Sequence, residues 1–264
     1  MDLELTGRVA CVTGGGLGIG RVVAETLARE GASVVITSRR IETLEKAAAE
    51  ITERTGAEVA AIASDTSDTA SVRRMVDEAV ERFGRVEILV NGAAAPAGLV
   101  RNSLHEADPE LLLADLNTKV VGYLRCAQAC APHMRQAGYG RIVNIGGLTG
   151  RSSHALSGMR NVAVVHLTKV LSDQLGPAGI TVNTIHPGVV ETEHIHELYE
   201  REARKQGTTA AAVEQGFIDR TPIRRVLAAT EIADLVAFLA SPRAGGITGE
   251  SVGIDGGLTR GIFL

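Results

Sequence analysis

Short runs of β-branched and aliphatic residues alternate along this chain with stretches of helical length, and that alternation admits few folds. Residues 8–13, 33–37, 58–63, 86–90, 141–145, 180–185 and 251–254 read as strands. Residues 19–30, 41–54, 69–83, 104–136, 154–175 and 230–240 read as the helices between them. Strands that are apolar on both faces, with a helix in each connection, predict a parallel sheet covered on both sides. Right-handed crossovers then give a doubly wound, Rossmann-type α/β fold. The 264 residues hold no linker, low-complexity tract or internal repeat, which predicts one domain over residues 1–264. One polar insertion, residues 191–221, is longer than a connection requires and is expected to form an irregular lid over a binding cleft.

Charge and composition exclude several classes of partner. The formal net charge is −4 and the basic residues are scattered, so no positive field invites nucleic acid or an anionic membrane. No apolar run approaches the roughly 20 residues that span a bilayer. Met1–Leu5 shows neither the basic nor the apolar region of a secretory signal, and the expected compartment is the cytoplasm. The three cysteines lack metal-type spacing; Cys126 and Cys130, four apart, are expected to be small residues in a helix contact. His194 and His196 supply two imidazoles without a third ligand, so no metal site is expected.

The segment Thr13-Gly14-Gly15-Gly16-Leu17-Gly18-Ile19-Gly20 joins the first strand to the first helix. Glycines here let the chain turn sharply and bring backbone N–H groups and a helix N-terminus against a pyrophosphate. The spacing Thr-Gly-x-x-x-Gly-x-Gly resembles the fingerprint of the short-chain dehydrogenase/reductase family. The likeness continues through Asp65-Thr66, Asn91-Gly92-Ala93, Pro187-Gly188 with Thr192, and the segment from Gly249 to Gly257. It implies that Gly14, Gly16, Leu17, Gly18, Ile19 and Gly20 hold the pyrophosphate, Asp65 and Thr66 meet the adenine, and Pro187, Gly188 and Thr192 embrace the nicotinamide. At the end of the second strand stands Ser38-Arg39, with no acid to hydrogen-bond the ribose of NAD. The planar fork of Arg39 suits a 2′-phosphate, so NADP is the expected cofactor, ahead of NAD.

Ordinary members of that family work with Asn, Ser, Tyr and Lys. Carried over residue by residue, the Asn falls on Asn117, while the Ser-bearing segment reads Asn144-Ile145-Gly146-Gly147. Ser157 stands at the Tyr position and Asn161 at the Lys position, and the preceding loop is three residues short. A serine hydroxyl is far less acidic than a phenol, and neutral Asn161 brings no charge to help it. The loop residue His154, Arg160 and the lid residue Tyr199 are the candidate substitutes for acid or oxyanion partner.

These residues predict an NADP-dependent oxidoreductase acting on a small carbonyl or alcohol substrate by a non-standard acid–base arrangement. A non-redox enzyme (lyase, isomerase or hydrolase) and a non-catalytic NADP-binding protein on the same scaffold are the alternatives. Apolar residues on more than one face of helices 104–136 and 154–175 predict association with further copies of the chain. The family resemblance implies a dimer or tetramer.

Overall fold

A computed structural model of the chain describes residues 1–95, 103–151 and 155–261. The strands β1 (Val9–Thr13), β2 (Ser33–Ser38), β3 (Val59–Ala63), β4 (Ile88–Asn91), β5 (Gly140–Ile145), β6 (Ile180–Pro187) and, last in the chain, Ser251–Ile254 form one sheet. Its order is β3-β2-β1-β4-β5-β6 followed by that last strand, and every pairing is parallel. The order reverses between β1 and β4, where Thr13 pairs with Thr37 on one side and with Asn91 on the other. Such a switch point opens a crevice at the carboxyl ends of the strands.

Alternation along each strand feeds two apolar layers. In β1, Ala10 and Val12 pack towards α1 (Gly18–Arg29), α2 (Ile41–Thr55) and the helix Ala229–Ala240. Cys11 points the other way, into the layer of α3 (Thr69–Phe83), Cys126, Cys130 and Leu171. Period-two side chains therefore reach both covers, which is why the strands read as uninterrupted apolar runs. All three thiols lie in that second layer, where burial pushes each of them up and leaves them unreactive.

Two sequence expectations need correction. The stretch 104–136 is not one helix. It comprises α4 (Pro109–Leu116), a π-helical turn over Asn117–Val121, and α5 (Gly122–Ala137). Asp108 caps α4 through the Glu110 amide, with Pro109 in the first turn. A Cβ at Gly122 would lie 3.0 Å from Cβ of Thr66, so the glycine admits the close approach that follows the π-turn. The turn adds one residue to the helical repeat and rotates the side chains that follow it.

The insertion 191–221 is not irregular. Most of it forms α7 (Ile195–Gln206) and α8 (Ala210–Arg220), after α6 (Gly158–Leu175) and β6 in the chain. Ile195, Tyr199, Ala203 and Val213 close a small apolar core with Phe217. A two-residue strand, β7 (Val190–Glu191), pairs in parallel with β8 (Leu227–Ala228) and clamps the base of the hairpin. The remaining elements are α9 (Ala229–Ala240) and β9 (Ser251–Ile254). Among the described residues no helix is long and apolar enough to cross a membrane.

Candidate active site

The glycine loop is shaped by backbone contacts that side chains would obstruct. Gly14 has φ +73°, and its amide donates to the carbonyl of Thr37 at 2.7 Å. A Cβ on Gly20 would lie 2.3 Å from the carbonyl oxygen of Gly14, so only glycine lets α1 start this close to β1. Leu17, the N-cap of α1, brings no side-chain oxygen, and the first amides of the helix point into the crevice. Gly16 lies beside Ser38, and Ile19 packs against the core. The far wall is held by Thr13, whose hydroxyl accepts from the amides of Gly92 and Ala93 at 3.0 and 3.2 Å.

At the end of β2, Ser38 is half-buried and Arg39 is exposed, with no ion-pair partner among the described residues. Burial works against ionisation of Asp65. Hydrogen bonds from Ser67 and the charges of Arg39 and Arg125 outweigh it and hold the carboxyl below the usual range. Thr66 donates to the Thr118 carbonyl at 3.2 Å, which ties this loop to the π-turn. Asn91 is fully buried and turns its carboxamide to Asn144 at 2.9 Å, so its backbone is the part left to face a cofactor. Gly188 donates to Ile254 at 2.9 Å, and its neighbour Pro187 ends β6. Thr192 reaches towards Gly18 from the start of the insertion 191–221.

The four positions of the expected tetrad do not assemble as read from the sequence. Asn117 does not enter the cluster; its Oδ1 accepts from Nη2 of Arg125 at 2.9 Å. His154 lies outside the described residues. Ser157 is buried just before α6, and its hydroxyl has no hydrogen-bond partner among the described residues. Asn161 is buried opposite Gly147, where a Cβ would come within 2.8 Å of its Nδ2. That Nδ2 donates to the Thr149 hydroxyl at 2.7 Å. Arg160 is committed to Asp115 at 2.6 Å and to the Ala95 carbonyl at 3.2 Å, so it is not a free oxyanion partner. Tyr199 is buried in the hairpin core and does not open onto the crevice.

The residue that reaches the cluster from the π-turn is Lys119. Its Nζ donates to the Gly146 carbonyl and to Asn161 Oδ1, both at 2.8 Å. It is buried at 3% exposure, and burial together with the nearby Arg160 charge brings it down to about 7, against the pull of Asp115. His186 lines the same floor, bonded to Gly147 and Ser251, and burial drops it to about 4, so its ring is neutral. The sequence held one signal for this lysine: Asp115 and Lys119 stand four apart on a helix, where side chains share a face.

The chain resembles known proteins over nearly its whole length. The family model described as enoyl-(acyl carrier protein) reductase matches residues 15–259. The short-chain reductase protein NovJ of Streptomyces niveus is 35% identical over 251 residues, covering 94% of this chain and 93% of that protein. The NADPH-dependent reductase BacG of Bacillus subtilis is 32% identical over 259 residues, covering 97% of this chain and 99% of its own. Among solved structures, L-sorbose reductase from Gluconobacter frateurii, complexed with NADPH and L-sorbose, superposes with a TM-score of 0.93 at 28% identity. That alignment covers 99% of this chain and all of the other. The chain belongs to the short-chain dehydrogenase/reductase family.

Proposed function

We propose that this chain is an NADPH-dependent reductase that interconverts a small carbonyl compound and its alcohol without a Tyr/Lys pair. The observation that carries the reading is the cradle at the start of α1. Gly14 and Gly20 are held where a side chain would collide with backbone, α1 starts there without a side-chain cap of its own, and the end of β2 carries Ser38 and Arg39 with no carboxylate. An acid at that point would repel a 2′-phosphate, whereas Arg39 complements it. NADPH is the cofactor named for BacG and for the L-sorbose reductase structure.

Bound there, the dinucleotide supplies the hydride that reduces a carbonyl carbon. The glycine-loop amides and the dipole end of α1 hold its phosphates, and Asp65 and Thr66 border its adenine. Pro187, Gly188 and Thr192 flank the nicotinamide end. The hairpin α7–α8 roofs the substrate crevice and shapes it. Ser157 and Thr149 offer hydroxyls to orient the substrate oxygen.

The protein works as a homo-oligomer, a dimer or tetramer. Leu113 on α4 and Met159 and Val162 on α6 are more than half exposed, an apolar strip that a second copy would cover. The buried reduced thiols suit the cytoplasm.

Titration of the purified protein with NADPH and NADH by cofactor fluorescence, with NADPH depletion followed over a panel of aldehydes and ketones, tests the reading. Selective NADPH binding with turnover is expected. Failure to bind either nucleotide would overturn it, and tight binding without turnover would favour a non-catalytic NADPH-binding protein.

A further inference from the structure

Lys119 sits where an ordinary lysine is costly. Lysine is rarely buried without a carboxylate of its own. The nearest carboxylate, Asp115, is already paired with Arg160 at 2.6 Å, and both of those side chains are buried. One anion and two cations therefore share the pocket, and the surplus positive charge falls on the group that can shed a proton. Arginine cannot, since its guanidinium stays charged at all working pH values. The other titratable groups facing Lys119 do not relieve it. His186 is neutral, and Tyr123, whose ring centre is 6.0 Å from Nζ, donates its own hydroxyl to the Ile145 carbonyl at 3.0 Å.

The position is also directional. Gly146, whose carbonyl accepts from Lys119, directly follows β5 at the carboxyl edge of the sheet, beside the crevice. Asn161 Oδ1 takes a second N–H, and among the described residues the third is uncommitted. Gly146 and Gly147 carry no side chain here, and the space beside them is lined by His186 and Asn161. A structural lysine at this depth would be expected to spend every N–H on the protein.

We propose that Lys119 is the catalytic acid and base of this enzyme, exchanging a proton with the substrate oxygen from the π-turn between α4 and α5. The proposal rests on the reductase reading above. In the reducing direction the carbonyl carbon gains hydride and its two electrons from NADPH, while the substrate oxygen takes a proton from Nζ. The Nζ–H bond breaks, the O–H bond forms, and Lys119 is left as a neutral amine that water in the crevice reprotonates. Alcohol oxidation runs the same steps backwards, with the neutral amine accepting the proton. Asn161 is a positioning residue: its Oδ1 aims the amine, and its Nδ2 is anchored on Thr149. A donor that titrates near neutral pH can serve both directions at working pH.

The chain has four lysines, Lys46, Lys119, Lys169 and Lys205, so lysine-selective 15N NMR of the intact protein can follow each Nζ. Lys119, assigned by its absence from Lys119→Arg, is expected to lose its proton near neutral pH while the other three hold theirs. A Lys119 ammonium that persists above pH 9 overturns the proposal whether or not a substrate is in hand. On a substrate that the wild type reduces, Lys119→Met and Lys119→Arg are expected to lose ~10²–10⁴-fold in kcat. Both should bind NADPH with unchanged affinity, and the alkaline fall in kcat/KM centred near pH 7 should vanish in Lys119→Arg. Turnover within a few-fold of wild type in both variants, or an unaltered pH profile, overturns the role of Lys119 and leaves the reductase intact. Wild-type protein that binds no NADPH overturns the reductase reading separately.

Discussion

The carboxylate of Glu193 accepts a hydrogen bond from the backbone amide of Gly18 at 3.1 Å, across 175 residues of chain. Leu17 provides α1 with no side-chain cap, and Glu193 satisfies one amide of the helix's first turn in its place. The two residues sit in a cleft of about 320 Å³, lined also by Val22, Glu191, Thr192 and His196. A carboxylate at a helix N-terminus sits where a phosphate would bind, so under the proposed reading NADPH and Glu193 would compete for the Gly18 amide.

Removing the competitor should favour the cofactor. Glu193→Ala is expected to tighten NADPH binding about two- to fivefold, the range that a single charge contributes at an exposed helix end. Cofactor fluorescence titration at low ionic strength measures it. Weaker binding in the variant would mean that Glu193 serves to hold the lid against the bound cofactor.

Under the proposed reading Arg39 pairs with the 2′-phosphate, and it has no ion-pair partner among the described residues to give up. Arg39→Ala should raise the Kd for NADPH about tenfold, the size of one charge-assisted hydrogen bond at a surface, and leave NADH unchanged. Ser38→Asp should go further and invert the preference, because the new carboxylate repels the phosphate and accepts from a free ribose hydroxyl. Parallel titrations with the two nucleotides decide it; equal losses for both would show that the loop, and not its charge, had been disturbed.

The sheet and the glycine cradle were legible in the sequence because both rest on local rules. Strands apolar on both faces announce a buried parallel sheet, and glycines between a strand and a helix announce a close backbone approach. The π-turn at Asn117–Val121 left no comparable mark. It is followed by a long-range close approach of Gly122 to Thr66, and helical periodicity runs straight through it. Asn117, turned to Arg125, and Lys119, turned to Asn161, stand two apart within it and so face different sides. The two helices of the insertion 191–221 left little mark for another reason. They have polar outer faces and share a core of a few residues, too thin an apolar stripe to stand out from a loop.

Tyr199 illustrates the difference between a chemically capable residue and a placed one. It is 2% exposed, pairs with Phe217 at 5.9 Å between ring centres, and its hydroxyl finds no hydrogen-bond partner among the described residues. An unsatisfied buried hydroxyl costs about 1–3 kcal/mol. Tyr199→Phe should therefore leave turnover unchanged and stabilise the protein by about 1 kcal/mol in denaturant unfolding. A large loss of turnover with the fold intact would bring the phenol back as an acid.

The last prediction separates the charge of Lys119 from its chemistry. Burial holds this side chain near 7 in the folded protein, against 10.5 for a free lysine. Between those values the unfolded chain binds a proton that the folded chain does not, so folding becomes more favourable as pH rises from about 7 towards 10. Below about pH 7 the full cost of a buried, uncompensated ammonium is present. Lys119→Met removes that cost and leaves the Asp115–Arg160 pair whole, so no anion is orphaned. Each unit by which burial lowers Lys119 is worth about 1.4 kcal/mol of that cost, offset in the variant by the Gly146 carbonyl and Asn161 Oδ1 that lose their donor, about 1–3 kcal/mol. The variant should thus be more stable than wild type at pH 6, by about 1–3 kcal/mol in urea unfolding, with a lead that shrinks as pH approaches 9. A variant less stable at pH 6, or a difference independent of pH, would mean that Asp115 keeps Lys119 charged throughout, and the neutral-pH proton donor would go with it.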